Sequence, residues 1–118
     1  MIKRAIPLLH VSNAAEAVTF YCDGLGFELG FAHRPDGVET DPCYMGLSRD
    51  GVWINLSSFG GDGAVGGVIN LMVDNVDSLY DEFVAKNVSV DLVPTDQTWE
   101  SREMYIKDPD GNCLRFIT

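Results

Sequence analysis

Apolar and polar positions along the chain fall into two similar blocks. In the first, Ala5 to Val11 has the short apolar run of a strand. Asn13 follows with the character of a helix cap, and Glu16 three residues on completes a capping-box pattern. Ala14, Ala17, Val18 and Tyr21 recur at helical spacing, and Gly24 and Gly26 end the run. Phe27 to Ala32 predicts a second strand, and Arg34-Pro35-Asp36-Gly37 a turn. Cys43 to Ser48 and Val52 to Ser57 predict two more strands, joined through Arg49-Asp50-Gly51 as a hairpin.

The second block repeats that order. Gly67 to Val73 predicts a strand. Asp74 or Asn75 then caps a helix carrying Val76, Leu79, Tyr80, Phe83 and Val84 on one face. Val88 to Val93, Arg102 to Lys107 and Asn112 to Ile117 predict strands, with Asp108-Pro109-Asp110-Gly111 turning between the last two. Val11-Ser12-Asn13 matches Val73-Asp74-Asn75 at an offset of 62, and Asp50-Gly51 matches Asp110-Gly111 at 60. Offsets this close, over elements in one order, indicate an internal duplication. The expected fold is α+β: two βαβββ modules in tandem, about 1–58 and 67–118, forming a curled mixed-sheet cup with helices on its outer face. The glycine-rich stretch 59–66 is the linker between them. No GK[ST] follows it, so it is not a phosphate-cradling loop.

The 118 residues suit one domain. Eighteen acidic against eight basic residues give a net charge of −10, which repels nucleic acid and attracts cationic small molecules. No apolar run reaches the roughly 18–20 residues of a membrane span. The apolar run after Met1-Ile2-Lys3-Arg4 stops at His10 without a small-residue cleavage site, so a cytoplasmic protein is expected, with no membrane partner. Cys22, Cys43 and Cys113 have neither zinc-site nor CxxC spacing and are expected to be reduced.

Two segments carry a family resemblance. Ser12-Asn13-Ala14-Ala15-Glu16-Ala17-Val18-Thr19-Phe20-Tyr21, ending in Gly24-Leu25-Gly26-Phe27, resembles the opening helix of the vicinal oxygen chelate superfamily. That superfamily includes glyoxalase I, extradiol dioxygenases, and fosfomycin- and bleomycin-resistance proteins. Arg102-Glu103 with Asp108-Pro109-Asp110-Gly111-Asn112-Cys113-Leu114-Arg115-Phe116 is similar to its closing hairpin. The resemblance implies a cup in which enzymes of the superfamily hold a divalent metal with His and Glu. The matching positions here are Ile6, Asn55, Val68 and Arg115, which supply no set of three His or carboxylate ligands. No metal and no cofactor is therefore expected.

Within the superfamily the chain is most similar to the metal-free bleomycin-resistance branch, which the resemblance describes as homodimers that bind and sequester a drug. Asp96-Gln97-Thr98-Trp99-Glu100-Ser101-Arg102-Glu103 looks like that branch's Gln-Pro-Trp-Gly-Arg-Glu stretch, although Thr98 and Glu100 stand where Pro and Gly are usual. The expected function is binding of a small-molecule antibiotic of the bleomycin type. The expected contacts are Trp99, Trp53, Glu100, Asp96, His10, Asn55, Asn70 and Arg115. Trp99 beside Glu100 joins a π-face to a negative charge, which suits a planar cation. His10 points the same way as Ile6, into the cup, by strand alternation. Arg115 favours an anionic group instead. The alternative is an enzyme of the superfamily, a lyase, isomerase or dioxygenase, with His10 and Glu103 as a metal-free acid–base pair.

Overall fold

The computed structural model describes residues 1–118. Its first module runs β1 (Leu8–His10), α1 (Ala14–Val18), β2 (Glu28–His33), β3 (Tyr44–Arg49) and β4 (Val52–Ser57). The second runs β5 (Val68–Met72), α2 (Val76–Ala85), β6 (Leu92–Asp96), β7 (Arg102–Lys107) and β8 (Cys113–Ile117). Each module makes a four-stranded mixed sheet, ordered β1-β4-β3-β2 and β5-β8-β7-β6. In both, the first strand lies parallel to the last and the other pairs are antiparallel.

The expected caps are in place. Asn13 Oδ1 accepts from the Glu16 amide at 3.0 Å, and Asn75 Oδ1 accepts from the Ser78 amide at 3.1 Å, each satisfying an orphan donor of a first helical turn. After Val18 the first helix widens into a π-helical turn, Thr19–Gly24. Gly26, at φ +76°, lets the chain leave it. Asp50 and Gly51 both have positive φ, as a two-residue hairpin turn requires.

One strand lies elsewhere than the pattern predicts. The expected strand at Val88 to Val93 begins at Leu92 and runs through Pro94 to Asp96. Val88 and Val90 instead pack against the core. Proline is tolerated because β6 is an edge strand whose register shifts between Leu92 and Thr95, so no ladder bond is lost there.

The core is a single cluster of 18 residues drawn from both modules. It lies between the helices and one face of each sheet: Leu9, Met45, Leu47, Ile54 and Leu56 from the first, Met104, Ile106, Leu114 and Phe116 from the second. Polar clamps close the seam between modules. Tyr21 donates to Asp108 Oδ2 at 2.8 Å, and Asn112 Nδ2 donates to the His10 carbonyl at 2.8 Å. Burial beside Asp108 raises the Tyr21 phenol far above its ordinary range. From the other direction, Arg49 of the first module grips Glu82 of α2 in a two-pronged pair at 2.7 and 2.9 Å. Each module thus fastens the end of a hairpin onto a helical element of the other.

The opposite face of each sheet is open. No strand of one sheet pairs with a strand of the other, so the strand face expected to line a cup is made of two four-stranded sheets.

Candidate functional site

The open face of the first sheet is an aromatic platform. By alternation along β4, Ile54 and Leu56 enter the core, and Trp53 and Asn55 point the other way. A Cβ placed on Gly30 would lie 2.5 Å from the Trp53 ring, and one on Gly46 would lie 2.2 Å from the Phe31 ring. The two glycines therefore leave the space that both rings occupy against the sheet, a use of strand-interior glycine for close approach. Phe31 stacks on Tyr44 at 6.3 Å with 12° between planes, and Asn55 Nδ2 donates to the Tyr44 hydroxyl at 3.1 Å.

The open face of the second sheet is charged at its centre. Glu103 is buried, and its carboxylate accepts from Trp99 Nε1 at 2.8 Å, Ser101 Oγ at 2.5 Å and the Tyr105 hydroxyl at 2.8 Å. These donors, with the Arg115 charge farther off, hold the Glu103 carboxyl below the usual carboxylate range. The bond to Glu103 in turn raises the Tyr105 phenol. Arg115 lies over the Tyr105 ring, 4.8 Å from its centroid. Asn70 and Tyr105 flank Arg115 in register on either side. Trp99 stands out from this surface, 63% exposed, with Met72 and Val68 also open to solvent.

The expected contacts therefore separate into groups. Trp53 and Asn55 share one face; Trp99, Asn70 and Arg115 share the other. Asp96 is drawn away from Trp99, because it pairs with Arg102 at 3.2 Å, and Arg102 also grips Asp77 of α2. Glu100 is exposed at φ +70°, in the turn that joins β6 to β7. The negative charge that meets the Trp99 indole is that of Glu103. His10 Nδ1 lies 2.9 Å from the Asp62 carbonyl, an acceptor only, so Nδ1 carries the proton and the ring pins the linker. Asp41, in the acidic loop before β3, serves structure too: its Oδ1 accepts from the Ala14 amide at 3.0 Å.

Phe31, Tyr105 and Ser101 are site residues that the sequence reading missed. The available signal for Phe31 was the pair of glycines inside strands, Gly30 and Gly46, the second of which stands opposite it.

The arrangement does not fit a resident metal. Ile6 and Val68 are exposed hydrocarbon side chains, Asn55 is bound to Tyr44, and Arg115 is a cation. No group of three or more His, Cys, Asp or Glu side chains is placed to hold an ion. The expected acid–base pair is not assembled either. His10 is tied to the linker beside the first sheet, while Glu103 accepts from three donors on the second. A carboxylate stabilised in its ionised form by such donors is a weak base. A cleft of about 500 Å³ lies on the helix side of the fold, between Leu25 and Phe27 of one module and Leu71 and Phe83 of the other. It belongs to the inter-module seam.

Comparison with known proteins places this geometry. A family model described as the Glyoxalase/Bleomycin resistance protein/Dioxygenase superfamily matches residues 5–116. Bleomycin resistance proteins of Geobacillus stearothermophilus and Staphylococcus aureus are 28% identical over 130 residues, spanning 97% of this chain and 95% of theirs. A bleomycin-binding protein crystallised with bleomycin superposes with a TM-score of 0.78 at 23% identity, covering 99% of this chain and 98% of that one. A bleomycin resistance determinant encoded on transposon Tn5 gives 0.79 at 23% identity, with the same coverage. TioX from Micromonospora gives 0.74 at 18%, covering 98% and 94%. These structural likenesses concern the fold.

Proposed function

The chain belongs to the Glyoxalase/Bleomycin resistance protein/Dioxygenase superfamily, and we propose that within it the protein binds and sequesters a planar small-molecule antibiotic of the bleomycin type, without a catalytic metal. The observation that carries this reading is the aromatic platform in which Trp53 packs against Gly30, Phe31 against Gly46, and Tyr44 stacks on Phe31. Aromatic rings gathered on an open sheet face suit stacking with a planar ligand at about 0.5–1.5 kcal/mol per contact. The net charge of −10 draws a cationic drug toward the surface.

A small-molecule site encloses most of its ligand, and one open sheet face does not. We therefore propose a homodimer in which the aromatic face of one copy opposes the charged face of another. Support comes from the apolar groups left open on both faces: Phe31 at 46%, Val68 at 53% and Met72 at 74% exposed. The three free cysteines accord with a reducing, cytoplasmic setting.

The test is a tryptophan-fluorescence titration of the whole protein with bleomycin, alongside its mass in solution by light scattering. The expected result is twice the 13.0 kDa of one chain and saturation at micromolar drug or tighter, with one drug per chain. A folded protein with no response up to about a millimolar, where binding is worth only about 4 kcal/mol, overturns the reading.

A further inference from the structure

Arg115 occupies the middle of a row on the second sheet. Asn70 stands beside it on β5 and Tyr105 on β7, all three on the open face. The guanidinium lies over the Tyr105 ring, 4.8 Å from its centroid, which holds it in place. Its Nε is enclosed yet has no hydrogen-bond partner. Nor does Arg115 enter any of the chain's five ion pairs. An enclosed donor left without an acceptor is costly, and an arginine donor more so than a neutral one.

Glu103, the acid that could have satisfied Arg115, is committed elsewhere. Its oxygens take the Trp99, Ser101 and Tyr105 donors. It balances the Arg115 charge through space without filling the guanidinium fork. Asn70 is exposed next to that fork. What remains is a guanidinium without an acid partner, with an amide in register at its side. That matches a carboxylate. Trp99 is tied to the same cluster through Glu103 and is 63% exposed.

We propose that Arg115 and Asn70 receive a carboxylate of the ligand, so that the ligand class is a planar aromatic acid, with its ring against Trp99 and its acid on the guanidinium. This rests on the small-molecule-binding reading above and adds the ligand's charge. An amphoteric drug satisfies both features: its cationic part answers the acidic surface, and its acid answers Arg115.

The test compares 2-naphthoate with 2-naphthamide, equal in shape and differing in charge, by calorimetry and by ¹H–¹⁵N spectra of the whole protein. Bleomycin is titrated into the same samples. Naphthoate is expected to bind at least about tenfold more tightly than naphthamide and to shift the Arg115 Nε–H resonance. Arg115→Gln is expected to erase the tenfold preference. Arg115→Lys, which keeps the charge and loses the fork, is expected to retain only part of it. Equal affinity for the two naphthyl probes, or a preference intact in Arg115→Gln, overturns the proposal. Should that variant fail to fold, the wild-type ratio and Arg115→Lys decide. Bleomycin binding with no Arg115-dependent naphthoate binding removes the carboxylate site and leaves the drug-binding reading standing. Naphthoate binding without bleomycin does the reverse, and binding of neither removes both.

Discussion

Replacing Gly46 by alanine puts one methyl group beneath the Phe31 ring. The new Cβ would lie 2.2, 2.6 and 2.8 Å from three ring carbons, where ordinary contact begins near 3.4 Å. The ring must move by about 1 Å or swing off the sheet. It can swing, because Phe31 is 46% exposed. Lifting a half-buried phenylalanine forfeits about half of the roughly 1.5–3 kcal/mol that full burial gives. Alanine in place of glycine returns about 0.4–1 kcal/mol by restricting the unfolded chain. Folding stability should thus change by no more than about 1 kcal/mol, read by urea denaturation. Ligand binding should suffer more visibly. Losing one aromatic contact of about 0.5–1.5 kcal/mol weakens bleomycin binding roughly 2- to 12-fold. The methyl acts only by displacing Phe31. In a Phe31→Ala background, Gly46→Ala should therefore have almost no further effect on affinity. A folded Gly46→Ala protein with wild-type affinity, or a full additional loss in the double variant, refutes the platform.

Tyr21→Phe should cost about 1.5–3 kcal/mol in urea denaturation, the range for a hydrogen bond to a charged partner. Asp108 keeps its bonds from the Asp110 and Asn112 amides and from Asn112 Nδ2, so the loss should lie toward the lower end. A change of a few tenths would mean that the clamp contributes nothing to holding the modules together. Acid should release Trp99. The Glu103 carboxyl is held below its ordinary value by three donors and Arg115, so its contribution to stability is present above the unfolded value near 4.3 and is lost as pH falls through the folded one. The Trp99 indole N–H resonance should therefore move on the acid side of pH 4.3. Glu103→Gln should lack that transition, and the same transition in the variant would dismiss Glu103 as its source.

Much of this was legible in the sequence, because burial fixes alternation. The two offsets, 62 for the opening strand and 60 for the hairpin, reappear in the registers: Leu8 stands opposite Asn55, and Asn70 opposite Arg115. Asn55 and Arg115 are therefore equivalent positions, as the duplication implied. The caps at Asn13 and Asn75 also followed from local chemistry. The rest depends on which partner a side chain finds. Asp96 and Glu100 flank Trp99 in sequence, yet one turns to Arg102 and the other sits at positive φ in a tight turn, so the indole meets Glu103. The close approach of the Phe31 ring depends on the missing side chain of Gly46, which faces it across a strand pair. Neighbours along the chain do not reveal contacts of that kind.

The division of labour inside the fold explains why family resemblance is strong and ligand identity weak. Core and clamps use the helix side of both sheets: Tyr21 on Asp108, Arg49 on Glu82, and 18 apolar residues between. The most recognisable segments, the opening helix and the closing turn, lie on that side, so they report the fold. The open faces carry none of that burden, and equivalent positions on them differ in kind. Leu8 and Asn55 in one module answer to Asn70 and Arg115 in the other, and Gly46 beside Asn55 answers to Tyr105 beside Arg115. Exchanges of this sort on an exposed sheet face cost little stability. They turn one repeated surface into an aromatic half and a charged half. Ligand choice is then set by a few residues, among them Phe31, Trp53, Trp99, Glu103 and Arg115. Substitutions at Phe31, Trp53, Trp99 or Arg115 should redirect binding at little cost to folding, whereas substitutions at Tyr21 or Asp108 should do the opposite; Glu103, buried under three donors, serves both.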